Sequence, residues 1–384
     1  MSAATPAAGP VAGPAEDERV GMPEADEVVP APADPREPGD VLLEVRDLRV
    51  SIPTPAGPVH AADGVTLTLR QGEVLGVVGE TGSGKSVTCR ALLGLRPTPK
   101  TEVTGTVAYP SLGVDDITGL PPRRLRRLWG RHVAMIPQNP MTSLDPVKRI
   151  GDQVAEALGD TVKGAAARRE RVIELLRQVG LPAPERRLEA FPHQFSGGML
   201  QRTLMAIAIA QNPAMLVADE PTTALDVLIQ DQILGLLLSL QRDLGTSLVL
   251  VSHDLSVVSQ VCDRVAVMYA GQVVEIADTA TLLTQPRHPY TRALIGALPS
   301  AVARDEPLRV IPGAPPPLVG LGPTCRFAAR CELHEAACDE WRTELLAVGA
   351  PTRPDSHHSR CRRADELDAA AAPPTTPKDQ GEQR

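Results

Sequence analysis

Short apolar runs alternate with longer amphipathic stretches through most of the chain. A short apolar run bounded by polar residues is typical of a buried strand, and apolar residues at helical spacing are typical of a helix. The pattern predicts strands at residues 43–49, 73–79, 132–136, 215–219, 247–252 and 264–269, and helices at 86–95, 168–179, 198–210 and 228–244. Strands that alternate with helices indicate an α/β fold with a largely parallel central sheet.

This alternating pattern covers only part of the 384 residues. Residues 1–40 and 364–384 are predicted to be disordered, because they cannot bury enough apolar surface to offset the conformational entropy lost on ordering. Between them, residues 41–285 carry the α/β pattern, and residues 286–363 form a second segment with a proline-rich stretch and four cysteines. We find no internal repeat, so the sequence predicts a single α/β domain.

Charge and hydropathy exclude several classes of protein. A net charge of -8 with a pI near 5.6 gives no global electrostatic reason to bind nucleic acid. The longest apolar runs are far shorter than the ~20 residues that cross a bilayer. The N-terminus has neither the basic start nor the apolar centre of a secretory signal. These observations predict a cytoplasmic protein without a transmembrane helix.

A glycine-rich loop is the first motif that carries chemistry. It matches G-x-x-x-x-G-K-[ST] at Gly79, Glu80, Thr81, Gly82, Ser83, Gly84, Lys85 and Ser86. The loop follows a predicted strand and opens a predicted helix, which disfavours the alternative of a glycine-rich turn without a ligand. We expect backbone N–H groups to surround nucleotide phosphates, with Lys85 on the β and γ oxygens, Ser86 on Mg²⁺ and Thr88 as a further nucleotide-binding residue. The motif by itself predicts an NTPase.

Two acids end a predicted buried strand downstream of this loop. Asp219 and Glu220 follow an apolar run at residues 215–218. The carboxyl ends of parallel strands are where ligands of such sheets collect. We expect Asp219 to hold Mg²⁺, directly or through water, and Glu220 to polarise the attacking water as a general base. Without the upstream loop, the same run would be read as an ordinary strand end.

Further elements, in a fixed order along the chain, resemble the ABC cassette family. The stretch Phe195-Ser196-Gly197-Gly198-Met199 resembles the ABC signature, and Gln138, Asp226 and His253 occupy the other positions of the family pattern. The resemblance covers about residues 42–285. It implies a P-loop NTPase ABC cassette with a RecA-like α/β core, an inserted helical lobe at about 139–210 and N-terminal antiparallel β strands.

The resemblance also implies roles and partners. Gln138 is implied as an Mg²⁺ ligand that couples the site to membrane subunits, and His253 as a contact of the γ-phosphate. Ser196, Gly197 and Gly198 are implied to complete the ATP site of a second cassette, and Asp226 is implied to belong to the nucleotide site. The second cassette is expected to be a different chain in a heterodimer, with a homodimer left open. In the family, ATP closes the two cassettes, and two transmembrane permease subunits convert closure into alternating access.

Three stretches, at residues 138–146, 191–199 and 288–294, resemble the ATP-binding subunits of dipeptide and oligopeptide importers. This implies ATP-driven peptide uptake at the cytoplasmic face of the cell membrane, with an extracytoplasmic solute-binding protein as an indirect partner. Nickel complexes or other small solutes are the alternative cargo. A non-transport ABC ATPase is disfavoured, since we find no second cassette, coiled-coil insertion or basic surface. A silent scaffold is disfavoured because Glu220 and His253 are present.

One position departs from the family pattern. An aromatic residue usually stacks on adenine shortly before the P-loop, whereas this chain has Ile52 at the corresponding place. We therefore expect reduced nucleotide affinity or base selectivity. His60 could stack on the base instead, although an exposed loop histidine without a role is the simpler interpretation.

Four cysteines lie close together in the C-terminal segment. Cys325, Cys331, Cys338 and Cys361 are separated by five, six and twenty-two residues, and the resembling family carries such an extension. Zinc sites usually use closer pairs, so the spacing favours a Cys-ligated [4Fe–4S] cluster, with Zn²⁺ second and unligated thiols third. Four arginines could offset the thiolate charge or be solvated: Arg326, Arg330, Arg360 and Arg362. Buried positions inside helices are expected for Cys89 and Cys262.

Overall fold

The structure is a computed structural model that describes residues 39–223, 226–298, 310–349 and 357–367. Most of the two predicted disordered ends, residues 1–38 and 368–384, lies outside the described residues. The first residues of the predicted tail do not fit that prediction. They form a short 3-10 turn, Ala364–Glu366, because Ala364 and Leu367 are buried and Arg287 donates hydrogen bonds to the carbonyls of both.

The predicted alternation of strands and helices is confirmed. The strands are β1 (Val41–Ile52), β2 (Val59–Arg70), β3 (Val74–Val78), β4 (Glu102–Ala108), β5 (Val133–Ile136), β6 (Met215–Asp219), β7 (Ser247–Ser252), β8 (Arg264–Tyr269), β9 (Gln272–Asp278), β10 (Leu346–Ala347) and β11 (His357–Ser359). The helices are α1 (Lys85–Leu92), α2 (Pro122–Leu128), α3 (Pro140–Ser143), α4 (Ile150–Ala157), α5 (Ala165–Gln178), α6 (Pro184–Arg187), α7 (Gly197–Ala208), α8 (Val227–Leu244), α9 (Leu255–Val261), α10 (Thr279–Thr284), α11 (Pro289–Gly296) and α12 (Ala336–Glu340).

Two sheets organise the described chain. A three-stranded antiparallel sheet has the order β2-β1-β4, in agreement with the predicted N-terminal antiparallel strands. The larger sheet has the order β10-β11-β9-β8-β3-β7-β6-β5. The five neighbouring strands β5, β6, β7, β3 and β8 are parallel to one another, whereas β9, β11 and β10 pair antiparallel at the other edge. The sheet is thus parallel only in its central part, and the sequence pattern did not reveal the antiparallel edge.

The central strands are buried on both faces, as expected for parallel strands covered on each side. Along β3, Val74 and Val78 belong to one apolar cluster, and Leu75 and Val77 belong to the other. The first cluster includes the helical lobe of α4, α5 and α7, and the second includes the three-stranded sheet. The strand ends that carry the candidate site are therefore fixed between two packed layers.

The C-terminal segment returns to this sheet. Strand β11 pairs antiparallel with β9, and the His357 ring nitrogen lies 2.8 Å from a carboxylate oxygen of the fully buried Glu275. We call residues 310–349 and 357–367 the extension. Cys89 is buried in α1 as predicted, while Cys262 is buried directly after α9 rather than inside a helix. Over the described ranges, no helix has the length and apolar character needed to span a membrane.

Candidate functional site

The glycine-rich loop joins β3 to α1 and needs glycine at two positions for steric reasons. A Cβ on Gly79, whose φ is +153°, would lie 2.1 Å from the Met268 carbonyl oxygen. A Cβ on Gly84, whose φ is +98°, would lie 2.0 Å from the Ala61 carbonyl oxygen. Both contacts are with backbone and cannot be relieved by a rotamer change. The loop is therefore held against its neighbours in a conformation that only glycine permits.

Lys85 begins α1 and is almost completely buried under this loop. Its ammonium group donates to the carbonyl oxygens of Gly79, at 2.8 Å, and Glu80, at 3.1 Å. The nearest oxygen of the Glu220 carboxylate is 4.0 Å away. Burial lowers the pKa of Lys85, and the charges of Glu220 and Asp219 oppose that shift. The loop thus places a desolvated cation where phosphate oxygens would meet it.

Ser86 and Asp219 form the pair that was predicted to hold Mg²⁺. The Ser86 hydroxyl donates to the Asp219 carboxylate over 2.7 Å, and Asp219 is fully buried at the end of β6. Burial raises the pKa of Asp219, while the Ser86 hydrogen bond acts to lower it. Oxygen ligands from a carboxylate and a hydroxyl suit Mg²⁺.

Several buried polar atoms around this pair have no hydrogen-bond partner among the described residues. They are the second carboxylate oxygen of Asp219 and the hydroxyl oxygens of Ser83 and Thr88. Buried polar atoms are nearly always paired in folded proteins. Unpaired acceptors and donors beside the P-loop are what a site for a nucleotide and a divalent cation would contain. The residues present therefore fit Mg²⁺ and ATP.

Three predicted catalytic residues meet at Glu220. The Gln138 amide donates to the Glu220 carboxylate over 3.0 Å, and a ring nitrogen of His253 lies 3.4 Å from the same oxygen. The Thr223 hydroxyl, which the sequence did not indicate, donates to that oxygen over 2.9 Å. Gln138 follows β5, Glu220 follows β6 and His253 follows β7, so the parallel strands place these three residues at one edge of the sheet. Glu220 itself has a φ of 45°, a conformation that is uncommon for a non-glycine residue.

The signature residues lie elsewhere, at the start of α7. Ser196 caps this helix by accepting a hydrogen bond from the Met199 N–H, and both Ser196 and Gly197 are exposed. Gly198 is half-buried, and a Cβ there would come within 3.1 Å of the Ile229 side chain. Asp226 is also exposed, at the N-cap of α8, and the residues before it, 224–225, lie outside the described chain.

Ile52 lies at the end of β1, half-buried and paired with Val59 of β2. The extension reaches this hairpin, because Val319 forms a bridge with Val59 and the His60 N–H donates to the Leu318 carbonyl over 2.8 Å. No signal in the sequence indicated this contact. The neighbourhood predicted to hold adenine is thus partly built by the extension rather than by an aromatic residue.

The extension also contacts the P-loop. Arg330 places one guanidinium nitrogen 3.1 Å from each carboxylate oxygen of Glu80, and the Tyr290 hydroxyl accepts the Glu80 N–H over 3.0 Å. Sequence reasoning missed these contacts, since Arg330 and Glu80 are 250 positions apart. Tyr290 belongs to the stretch that resembled peptide importers, but its contact with the loop was not predicted.

The prediction that the four flanking arginines offset the cysteine thiolates or are solvated was wrong for three of them. Arg326 bonds to Asp63 and the Ala270 carbonyl, and Arg330 bonds to Glu80. Arg360 donates to the carbonyls of three residues, Val273, Thr343 and Gly64. Of the four, Arg362 alone is exposed and paired nearby, with Glu335. Buried guanidinium groups need several acceptors, and the cassette supplies them.

The four cysteines of the extension line one small cavity, together with the side chains of His288, His334, Trp341 and others. Burial raises the pKa of Cys325 and Cys331, and raises that of Cys361 to about 12. Within the described chain, no group of three or more His, Cys, Asp and Glu side chains is arranged to hold a metal ion. The donor chemistry thus fits a thiolate-ligated centre, while the side chains do not form a closed ligand set.

Two families match the chain: "ABC transporter" over residues 62–223 and "Oligopeptide/dipeptide transporter, C-terminal region" over residues 274–338. The dipeptide transport ATP-binding protein DppD of Bacillus subtilis (strain 168) is 43% identical over 327 residues, which cover 85% of this chain and 95% of that protein. This chain belongs to the family of dipeptide and oligopeptide ABC transporter ATP-binding subunits.

Other relatives of this ABC subunit agree. The oligopeptide transport ATP-binding protein OppD of B. subtilis is 46% identical over 75% of this chain and 81% of that protein. DppD of Escherichia coli (strain K12) is 44% identical over 81% of this chain and 95% of that protein. Among solved structures, the dimeric ATP-binding cassette MJ0796 in a post-hydrolysis state with ADP and Pi matches with a TM-score of 0.55 at 25% identity, covering 62% of this chain and 99% of that one.

Proposed function

We propose that this chain is the ATP-hydrolysing motor subunit of an importer for dipeptides or oligopeptides. The observation that carries the proposal is the arrangement of Gln138 and His253 around Glu220, beside Lys85 and the Ser86–Asp219 pair. The similarity to peptide transport ATP-binding proteins supports the choice of cargo class. In this proposal the chain works at the cytoplasmic face of the membrane.

Each residue then has a role in phosphoryl transfer. The backbone amides of residues 79–86 and the Lys85 ammonium bind and orient the phosphates. Ser86, Asp219 and Gln138 would hold Mg²⁺, which would neutralise charge on the phosphate oxygens. Glu220 accepts a proton from the attacking water, and His253 contacts the γ-phosphate. The hydrogen bonds from Gln138 and Thr223 keep the Glu220 carboxylate aimed into the site.

Replacement of Glu220 by Gln tests this chemistry, because it keeps the size and the hydrogen-bonding ability but removes the base. We expect ATP binding to persist while turnover falls by ~10² or more. Glu174→Gln is a matched control on the exposed face of α5, where Glu174 pairs with Arg171. Near-normal ATPase activity of the Glu220 variant would contradict the assignment.

We also propose that the ATP site is completed by a second ABC subunit, in a heterodimer that sits beneath two transmembrane permease subunits. The exposure of Ser196 and Gly197 at the start of α7 supports this, as does the similarity of the fold to the dimeric cassette MJ0796. Ser196→Ala in this chain should impair hydrolysis at the partner's P-loop. Full-rate hydrolysis by an isolated monomer, indifferent to this change, would contradict the shared site.

The transported solute is chosen outside this chain in our proposal, by permease and extracytoplasmic solute-binding proteins. Purification of the complex through this chain, followed by calorimetry of its solute-binding protein with peptides and with nickel complexes, tests the cargo. We expect tight binding of peptides. If the solute-binding protein preferred nickel complexes, the proposed cargo would be wrong but the proposed motor role would stand.

We further propose that residues 286–363 act as a unit with a [4Fe–4S] cluster held by Cys325, Cys331, Cys338 and Cys361, with Zn²⁺ as the alternative, and that residues 41–285 form the cassette. The shared cavity and the four thiol donors support this proposal. A bound metal would keep the thiols deprotonated despite the burial that raises their pKa. Anaerobically purified protein should be brown with about four irons per chain. One stoichiometric zinc would favour the alternative, and no metal would contradict both.

A further inference from the structure

Glu80 places a carboxylate in a loop that is built to bind phosphate. Its carbonyl oxygen lies 3.1 Å from the Lys85 ammonium, and about a quarter of its side chain, 24%, remains exposed. Two like charges at short range repel each other unless a counter-charge is present. An unpaired Glu80 carboxylate would therefore oppose the binding of a triphosphate at residues 79–86.

Arg330 supplies the counter-charge from the extension. Its guanidinium contacts both Glu80 oxygens at 3.1 Å, and only 7% of its side chain is exposed. It is also held in place, because its Nε donates to the Pro312 carbonyl over 2.7 Å and its plane lies over the rings of Tyr269 and Phe327, 5.6 and 5.9 Å from their centroids. Arg330 is thus a fixed charge and not a mobile surface residue.

A second contact runs from the extension to the same loop. Arg326 donates to the Ala270 carbonyl, and the N–H of the next residue, Gly271, donates to the Ser83 carbonyl over 2.9 Å. Both arginines lie beside cysteines of the shared cavity, since Arg326 follows Cys325 and Arg330 precedes Cys331. The turn that carries the cysteines is therefore connected to the P-loop at two points.

We infer that Arg330 is a positioning residue of the nucleotide site, through which the cysteine-bearing extension sets the affinity of the P-loop for ATP. The inference rests on the proposed ATP site. With Arg330 in place, the Glu80 carboxylate is neutralised and held by its counter-charge. If the extension loosens, Glu80 is released and repels the nucleotide. By linkage, ATP binding stabilises the docked extension to the same degree.

A double-mutant cycle tests this with calorimetric titration of ATP against the whole chain. Arg330→Gln should weaken ATP binding by about tenfold, within the roughly 5- to 150-fold range of typical coupling between sites. In a Glu80→Gln background, the same Arg330→Gln change should cost little, because no carboxylate is left to neutralise. An equal loss in both backgrounds would mean that Arg330 only supports the fold, and would overturn the inference.

The link to the extension is tested by loosening the cysteine turn instead. Cys331→Ser should weaken ATP binding when Glu80 is present and have little effect in the Glu80→Gln background. Equal effects in both backgrounds would show that the extension does not act through this pair and would overturn the inference. Failure of the wild-type chain to bind ATP would overturn the proposed function itself, so the two failures are distinguishable.

Two further variants keep the test valid if Arg330→Gln does not fold. Arg330→Lys retains the charge but loses the planar contact with two rings. It should therefore bind ATP more tightly than Arg330→Gln, while the two variants have similar melting temperatures. Arg362→Gln is the matched control, because Arg362 is an exposed arginine of the same extension paired with Glu335. It should leave ATP affinity unchanged. If Arg362→Gln lost as much ATP affinity as the Arg330 variants, the proposed action of Arg330 through Glu80 would be contradicted.

Discussion

The P-loop and the cysteine cavity are the two proposed binding sites of this chain, yet they are held together in opposite ways. The P-loop lies between β3 and α1, and its side chains and backbone come from eight consecutive residues, 79–86. The cavity is lined by residues from 288 to 363. It borders short elements of the extension, such as α12 with five residues. The first site is built from consecutive residues, whereas the second is built from residues that are far apart in the sequence.

The difference follows from how each region buries its surface. Strands β3, β6, β7 and β8 are buried throughout, so hydrophobic burial fixes the strand ends that lead into the P-loop and into Asp219 and Glu220. The extension has too few apolar residues to form its own core, and a small unit of that kind needs other attachments. Here these are Phe327, the β11–β9 pairing and hydrogen bonds from buried arginines. We therefore expect substitutions that remove the attachments of the extension to lower stability, and substitutions at the strand ends of the cassette to impair ATP binding and hydrolysis.

Phe327→Ala should have the largest effect on stability. The ring is buried against Tyr269, Tyr290 and His288, with centroid separations of 5.3, 5.4 and 6.0 Å. Loss of a buried Phe side chain costs about 3–5 kcal/mol of unfolding free energy. Thermal or urea unfolding measures this, with limited proteolysis reporting release of the extension. Leu346→Ala, at a 46% exposed position, is the control. A cost below about 1 kcal/mol for Phe327→Ala would mean that the extension is anchored elsewhere.

Lys85→Ala should separate binding from stability. The substitution removes the ammonium group and its charge-assisted contacts with phosphate, which contribute about 1.5–3 kcal/mol. ATP affinity should therefore fall roughly tenfold to a hundredfold. The melting temperature without nucleotide should fall only slightly, because relief of the desolvation that lowers the pKa of Lys85 offsets part of the cost of leaving the Gly79 and Glu80 carbonyls without their donor. Calorimetry and a melting curve on the same sample measure both. A large loss of stability with unchanged affinity would reverse the contrast between the two regions.

The same contrast explains what the sequence could predict. Runs such as 215–219 and 247–252 matched the observed strands because β6 and β7 are buried on both faces, and burial of that kind appears directly in the apolar pattern. The resemblance to the ABC cassette family assigned Gln138 and His253 to the site of Glu220, and the structure brings the three side chains together because each follows a parallel strand. The antiparallel edge was missed, since β9 is almost as completely buried as the parallel strands and β11 has only three residues.

Contacts of the extension could not be predicted for a different reason. Glu80 sits in a loop whose pattern is defined by glycines and Lys85, and nothing local indicates that its partner is Arg330. The Arg360 acceptors are backbone carbonyls, which every residue carries and which no sequence motif marks. Charged residues beside cysteines suggested local neutralisation, but burial against the cassette decided their partners instead.

Arg360→Gln should weaken docking of the extension by a moderate amount. Its guanidinium donates to the carbonyls of Val273, Thr343 and Gly64 at 3.0, 3.0 and 3.1 Å, and it is buried. Gln cannot reach all three acceptors, and unpaired buried groups cost about 1–3 kcal/mol. We expect that loss in the unfolding free energy, together with faster proteolysis after residue 310. An unchanged protein would show that these hydrogen bonds are replaced by water.

Arg362→Gln should have the smallest effect, and it allows a direct comparison with Arg360→Gln within the same segment. Arg362 is two positions from Arg360, but its 2.8 Å ion pair with Glu335 joins side chains that are 38% and 42% exposed. Exposed pairs contribute about 0.2–1 kcal/mol, because solvent screens them and both side chains lose freedom. We expect unfolding midpoints within error of the wild type at high salt, and a loss of roughly a few tenths of a kcal/mol at low salt. A loss as large as that of Arg360→Gln would mean that burial does not decide which arginine anchors the extension. The paired measurement on the two variants under identical conditions distinguishes these outcomes.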